Sequence, residues 1–173
     1  MIMQRITLCA IPFLFLVGCS ESTTESSSAT RSTDVPWMLA TAPGDARSVI
    51  SAKAEATEGD TITVRGIIGG RVEALSPESP VFQIIDASLE NPCVGDDDHC
   101  PTPWDYCCNP PEELMRHAAT VQIVDASGAP VGDDVIAAGL EPLQEVIVTG
   151  TVGARPSQDV LTIRATGVHR AGG

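Results

Sequence analysis

Glu145-Val146-Ile147-Val148-Thr149-Gly150-Thr151-Val152 alternates with period two over eight residues and is dense in β-branched side chains. That pattern suits a strand with one face buried and the other open to solvent. Thr61-Ile62-Thr63-Val64-Arg65-Gly66 repeats it, with Ile62 and Val64 on one face and Thr61, Thr63 and Arg65 on the other. Val81–Ile85, Ala119–Val124 and Val160–Thr166 are short and β-rich in the same way. These segments predict five strands. Helix is scarce. Asp45 to Ala54 reads as two or three turns opened by Asp45 as a cap, and residues 133–139 as one short helix ended near Gly139.

Five strands with a short helix between the third and fourth is the order that the OB-fold follows, and residues 59–169 resemble that five-stranded Greek-key barrel. The glycines agree: Gly66, Gly69 and Gly70 fall in or after the first strand, and Gly150 and Gly153 do so in the fourth. A barrel needs such bends where one strand serves both halves. The expected fold is therefore mainly β, an OB-fold-like barrel with short helices and a Cys-rich loop. Gln83-Ile84-Ile85-Asp86-Ala87-Ser88 recurs as Gln122-Ile123-Val124-Asp125-Ala126-Ser127. We read both as strand ends entering turns, with Asp86 and Asp125 bonding to the local backbone.

Outside the barrel, residues 1–18 read as a leader: Arg5, a mostly apolar run from Ile6 to Val17, then small residues. The run is shorter than the roughly 20 apolar residues a membrane-spanning helix requires. Leu16-Val17-Gly18-Cys19 resembles the bacterial lipobox, which implies cleavage before Cys19 and lipidation of its sulfur and amine with acyl chains such as palmitate. Ser20 follows where many inner-membrane lipoproteins carry Asp, so the resemblance implies an outer-membrane address, with the domain outside the cytoplasm. Ten of residues 20–34 are Ser or Thr and none is a large apolar residue. Such a stretch buries too little to offset its ordering entropy. The expected organisation is a signal peptide (1–18), a lipidated Cys19 with a flexible tether (19–34), a lead-in with a short helix (35–57) and the barrel (58–170).

Between the second and third strands all four remaining cysteines, Cys93, Cys100, Cys107 and Cys108, fall within 16 residues, and residues 91–111 around them hold five of the 13 prolines. Thr102-Pro103-Trp104-Asp105-Tyr106-Cys107-Cys108 resembles a stretch carried by a group of uncharacterised bacterial lipoproteins, a likeness that implies a family and no activity. Three readings of the thiols compete. The even count and an exported, oxidising location suit two disulfides, Cys93 and Cys100 each pairing with one of the adjacent two, and Trp104 and Tyr106 covering the barrel or the bridges. Cys93, His99, Cys100 and Cys107 or Cys108 also make a four-ligand set for zinc, or for cuprous copper, although C-x6-C-x6-C-C lacks the usual C-x2-C knuckles. A reactive Cys107-Cys108 pair is the third reading, without the C-x-x-C at a helix start that lowers a thiol pKa. The run Asp96-Asp97-Asp98 is contiguous, unlike the alternating carboxylates of an EF-hand loop, and reads as a solvated acidic tip.

Ten Lys+Arg oppose 23 Asp+Glu for a net charge of −13, which becomes −14 when Arg5 leaves with the leader. Nucleic-acid binding draws on cationic grooves and stacking aromatics. One Lys and four aromatics (Trp37, Phe82, Trp104 and Tyr106) in the mature chain argue against such a partner. No phosphate loop, nucleophile elbow or His-Glu-x-x-His occurs, and His99, His117 and His169 sit in no spacing with a nucleophile. No catalytic residue stands out. The sequence thus predicts a non-catalytic binding or structural module of the cell envelope. It is held to the membrane by its lipid and directed at an envelope protein, a glycan or a small ligand, with no cofactor. The alternative is a metal-binding envelope lipoprotein built on the cysteine loop.

Overall fold

A computed structural model describes residues 35–95, 100–132 and 135–172. The leader, Cys19, the tether, His99 and the acidic run 96–98 lie outside the described residues. Five strands carry the barrel: β2 (Thr61–Ile68), β3 (Val81–Ile85), β4 (Ala118–Ile123), β5 (Glu145–Val152) and β6 (Thr162–Arg170). A two-residue strand β1 (Arg47–Ser48) adds to β2 in parallel. The spatial order β2-β3-β4-β6-β5 closes through seven β2–β5 residue pairs running from Thr61↔Thr151 to Ile67↔Glu145. β4 and β6 are parallel and the other barrel pairings antiparallel. This is a closed, OB-fold-like barrel, as the strand order predicts.

Alternation produces the core. Along β2, Ile62, Val64, Gly66 and Ile68 turn inward, and along β4, Ala119, Val121 and Ile123 do. They meet Phe82, Ile84, Val146, Val148, Ile163 and Ala165 in one cluster. The first strand continues two residues past Gly66, and the last runs to Arg170 rather than stopping at Thr166. Between Thr149 and Gly150 the β5–β6 register shifts from Gly167 to Ala165, so Thr166 is the extra residue of a bulge that lets β6 bend around the barrel. A Cβ on Gly150 would stand 2.2 Å from the Arg164 carbonyl oxygen, so only glycine fits there.

Both helix expectations need correction. Helix α1 is Val49–Glu55, capped by Ser48, whose hydroxyl accepts the Ser51 N–H at 3.2 Å. Asp45 instead adopts a left-handed turn (φ 55°) leading into β1. Val135 to Gly139 form turns, not a helix: Gly139 N–H bonds the Ile136 carbonyl and Leu140 N–H the Val135 carbonyl, closing the segment after one turn. The second helix, α2 (Pro111–His117), lies before β4. Pro at its first position, Glu112 and Glu113 in its first turn and Arg116 and His117 in its last suit the helix dipole. Among the described residues no helix is long and apolar enough to cross a membrane.

Asp86 and Asp125 make the local bonds expected of them. One carboxylate oxygen of each accepts the backbone N–H and the hydroxyl of the serine two residues on, Ser88 and Ser127.

Candidate functional site

The excursion from Asp86 to Pro110 joins β3 to α2 and contains, among its described residues, only a 3-10 turn at Pro103–Asp105. Its aromatics fasten it to the barrel. Tyr106 is 1 % exposed and packs with Ile85 and Leu89 in a second small core. Trp104 donates its indole N–H to the Val72 carbonyl at 2.9 Å, and its own carbonyl accepts the Gly70 N–H at 2.8 Å. Both side chains therefore cover the barrel, as expected. Asn91 and Asn109 tie the two limbs of the loop: the Asn91 amide donates to the Pro103 carbonyl at 2.8 Å, the Asn109 amide to that of Glu90 at 3.0 Å.

Two disulfides are the first expectation for these sulfurs, and no two of the four stand at disulfide distance. Cys107 Sγ is 3.8 Å from Cys93, 3.9 Å from Cys100 and 4.0 Å from Cys108, and Cys93 Sγ is 3.2 Å from Cys108. Disulfide bonds are about 2.05 Å long. Tyr106 places the adjacent pair: it sits in the left-handed region (φ 58°), which turns the chain so that both Cys107 and Cys108 face Cys93. Hydrogen bonding with the Cys108 thiol holds Cys93 below the usual thiol range, against the effect of burial. The carboxylate of Asp105 pushes Cys107 the other way. His99, the fourth ligand considered from sequence, lies outside the described residues. His117 and His169 each bond a backbone carbonyl through Nδ1, of Glu113 at 2.8 Å and of Leu39 at 2.9 Å.

Next to this loop, α2 leans over the outer face of β3 and β4 and leaves a groove of about 320 Å³. Pro111, Leu114, Met115, Val160 and Leu161 form apolar walls; Gln83, Thr120 and Asp159 supply polar groups. Met115 is half exposed, so part of the apolar wall faces solvent. One end of the groove is held by Lys53, buried on α1, whose ammonium donates to the Met115 carbonyl at 2.6 Å and the Asp159 carbonyl at 2.7 Å. Burial lowers the Lys53 pKa, and the nearby Arg155 adds to this while Asp159 opposes it. Sequence reading missed the groove because it exists only where α2 and the segment before β6 come together over β3 and β4.

The barrel topology defines the class, an OB-fold-like β protein. No family model and no curated protein matches the chain. Among solved structures it is similar to the hypothetical protein ygiW from E. coli, at 16 % identity and a TM-score of 0.40 over 74 % of this chain and 91 % of that one.

Proposed function

We propose that this chain is an exported lipoprotein, anchored through Cys19 to the outer membrane, whose barrel is a non-catalytic binding module held away from the bilayer by residues 20–34. The groove over β3 and β4 carries the binding half of this reading. OB-folds take their ligands on that face, between the loops following the first and fourth barrel strands. Here Gly70, after β2, and Asp159-Val160-Leu161, before β6, flank it. Mixed apolar and amide or hydroxyl lining suits a small ligand or a glycan, with sugar faces against Met115 and Leu114 and hydroxyls on Gln83 and Thr120. The sole carboxylate in the lining, Asp159, and the net charge of −13 disfavour anionic ligands. The leader and the Leu16–Cys19 lipobox support the anchor, and two or more acyl chains make anchoring stable.

Each half has its own test. Labelled palmitate should enter the full chain and the product should fractionate with membranes, both lost in Cys19→Ala; a soluble, unlabelled wild type refutes the anchor. For the groove, N-acetylglucosamine oligomers are titrated against isotope-labelled protein. Amide shifts confined to Gln83, Met115 and Thr120, abolished by Thr120→Trp, support the site, and shifts absent from this face overturn the glycan reading.

A further inference from the structure

We propose that Cys93, Cys100, Cys107 and Cys108 hold one zinc ion through their four thiolates. In a tetrahedral site with Zn–S bonds of about 2.3 Å, any two sulfurs are about 3.8 Å apart. Cys107 already stands at that spacing from the other three, at 3.8, 3.9 and 4.0 Å. Cys107 is nearly equidistant from the three, although Cys93 and Cys108 stand closer to each other, at 3.2 Å. Cys93, Cys100 and Cys107 lie within 4.8 Å of one another. Cys108 is exposed and lies 3.2 Å from Cys93, shorter than the tetrahedral edge, so its sulfur would swing outward to complete the set.

The backbone is organised around these sulfurs. Asn91 Oδ1 accepts the Cys93 N–H at 3.0 Å and Asp105 Oδ1 accepts the Cys107 N–H at 2.8 Å, so an Asx turn fixes the start of each cysteine limb. The left-handed Tyr106 then presents two adjacent sulfurs to one point, which a C-x2-C knuckle achieves by other means. Four sulfurs and no oxygen ligand select zinc over calcium or magnesium, and the tetrahedral arrangement suits it. Bound there, zinc crosslinks a loop whose described residues hold only one 3-10 turn and fixes the start of α2, which begins three residues after Cys108. This inference does not depend on the glycan reading.

The test uses the full chain in a Cys9→Ser/Cys19→Ser background, leaving only the loop thiols, purified without chelator or reductant. One zinc per chain by elemental analysis is expected, with four thiols that titrate without reductant once the protein is denatured in chelator. Exchange for Co²⁺ should give the thiolate charge-transfer and d–d bands of a tetrahedral site. Cys107→Ser should weaken zinc binding by more than the roughly 10–100-fold that loss of an outer-shell partner costs. Zinc-free protein whose thiols appear only after reduction overturns the proposal, as does another metal in its place. If Cys107→Ser does not fold, the cobalt spectrum of the parent chain decides, and bands of octahedral cobalt reject the site.

Discussion

The carboxylate of Asp86, at the end of β3, accepts the backbone N–H of Ile50 at 2.9 Å across 36 residues of sequence. Ile50 is the second residue of α1, so Asp86 caps that helix from outside it while its other oxygen holds Ser88. The helix is thereby locked to the barrel through a residue only 3 % exposed. Asp86→Ala leaves the Ile50 N–H without its partner and should cost about 1–3 kcal/mol in urea unfolding.

The same site predicts an acid dependence. Burial pushes the Asp86 pKa up, but the hydrogen bonds from the Ile50 N–H and from the Ser88 hydroxyl and N–H outweigh it, so the folded pKa lies below 3.8. A carboxylate lowered on folding contributes stability that is complete above its unfolded pKa and is lost as pH falls through the folded value. Between pH 5 and pH 2, Asp86→Asn should therefore lose stability less steeply than the parent chain. Parallel curves would show that Asp86 titrates alike in both states.

Two glycines in one hairpin give opposite expectations. A Cβ at Gly150 meets the Arg164 carbonyl oxygen at 2.2 Å and the Ala165 Cα at 2.7 Å, whereas at Gly153 the nearest atoms lie at 3.6 Å. Gly150→Ala must push β5 and β6 apart and should destabilise by about 1–3 kcal/mol or more. Gly153→Ala should stay within about 0.5 kcal/mol of neutral. Thermal unfolding of the two variants side by side checks the bulge directly.

These contrasts mark where the sequence was informative. Val81–Ile85 and Glu145–Val152 were legible residue for residue, because half-buried strands must alternate and their ends are set by turn residues. The helices were not. Asp45 and Ser48 are both good caps, and what chooses Ser48 is the two-residue pairing of Arg47 and Ser48 with β2, a tertiary event without local signal. Glu112 to His117 read as no more than a short helical turn, because α2 buries none of its side chains fully and carries no apolar stripe. The groove inherits that silence. The cysteines could be counted from sequence, but their convergence depends on the left-handed turn at Tyr106, a conformation that a bulky residue seldom takes.

Lys53 and Glu55, two residues apart on α1, should behave very differently. Lys53 is 7 % exposed and bonds two carbonyls from separate elements, while Arg155 adds bonds to the Lys53, Ala56, Gln158 and Val160 carbonyls. Glu55 pairs with Arg47 at 3.1 Å, but both side chains are about half exposed or more. Lys53→Met keeps the bulk and strands two carbonyls, each losing a charge-assisted bond worth about 1.5–3 kcal/mol. Glu55→Gln removes an exposed pair worth about 0–1 kcal/mol. Faster amide exchange across α1 in Lys53→Met alone would confirm that the buried ammonium fastens α1 to α2 and the β5–β6 loop.

Tyr106 joins the barrel to the sulfurs, so its substitution should be felt on both sides. Its ring fills the small core with Ile85 and Leu89, and its backbone turn points Cys107 and Cys108 at Cys93. Burial raises the phenol pKa, with a hydrogen bond to Asn91 opposing, so the hydroxyl stays protonated at neutral pH. Tyr106→Phe retains the ring and loses one hydrogen bond, a cost of about 0.5–1.5 kcal/mol. Tyr106→Ala empties the core position, at about 3–5 kcal/mol, and uncouples the loop from β3. Cys93 is buried under that loop, so its reaction with a thiol reagent should accelerate sharply in Tyr106→Ala and hardly at all in Tyr106→Phe. Equal rates in the two variants would mean that the Asn91 and Asn109 ties hold the loop closed by themselves, with the aromatic ring adding stability but no shielding of the sulfurs.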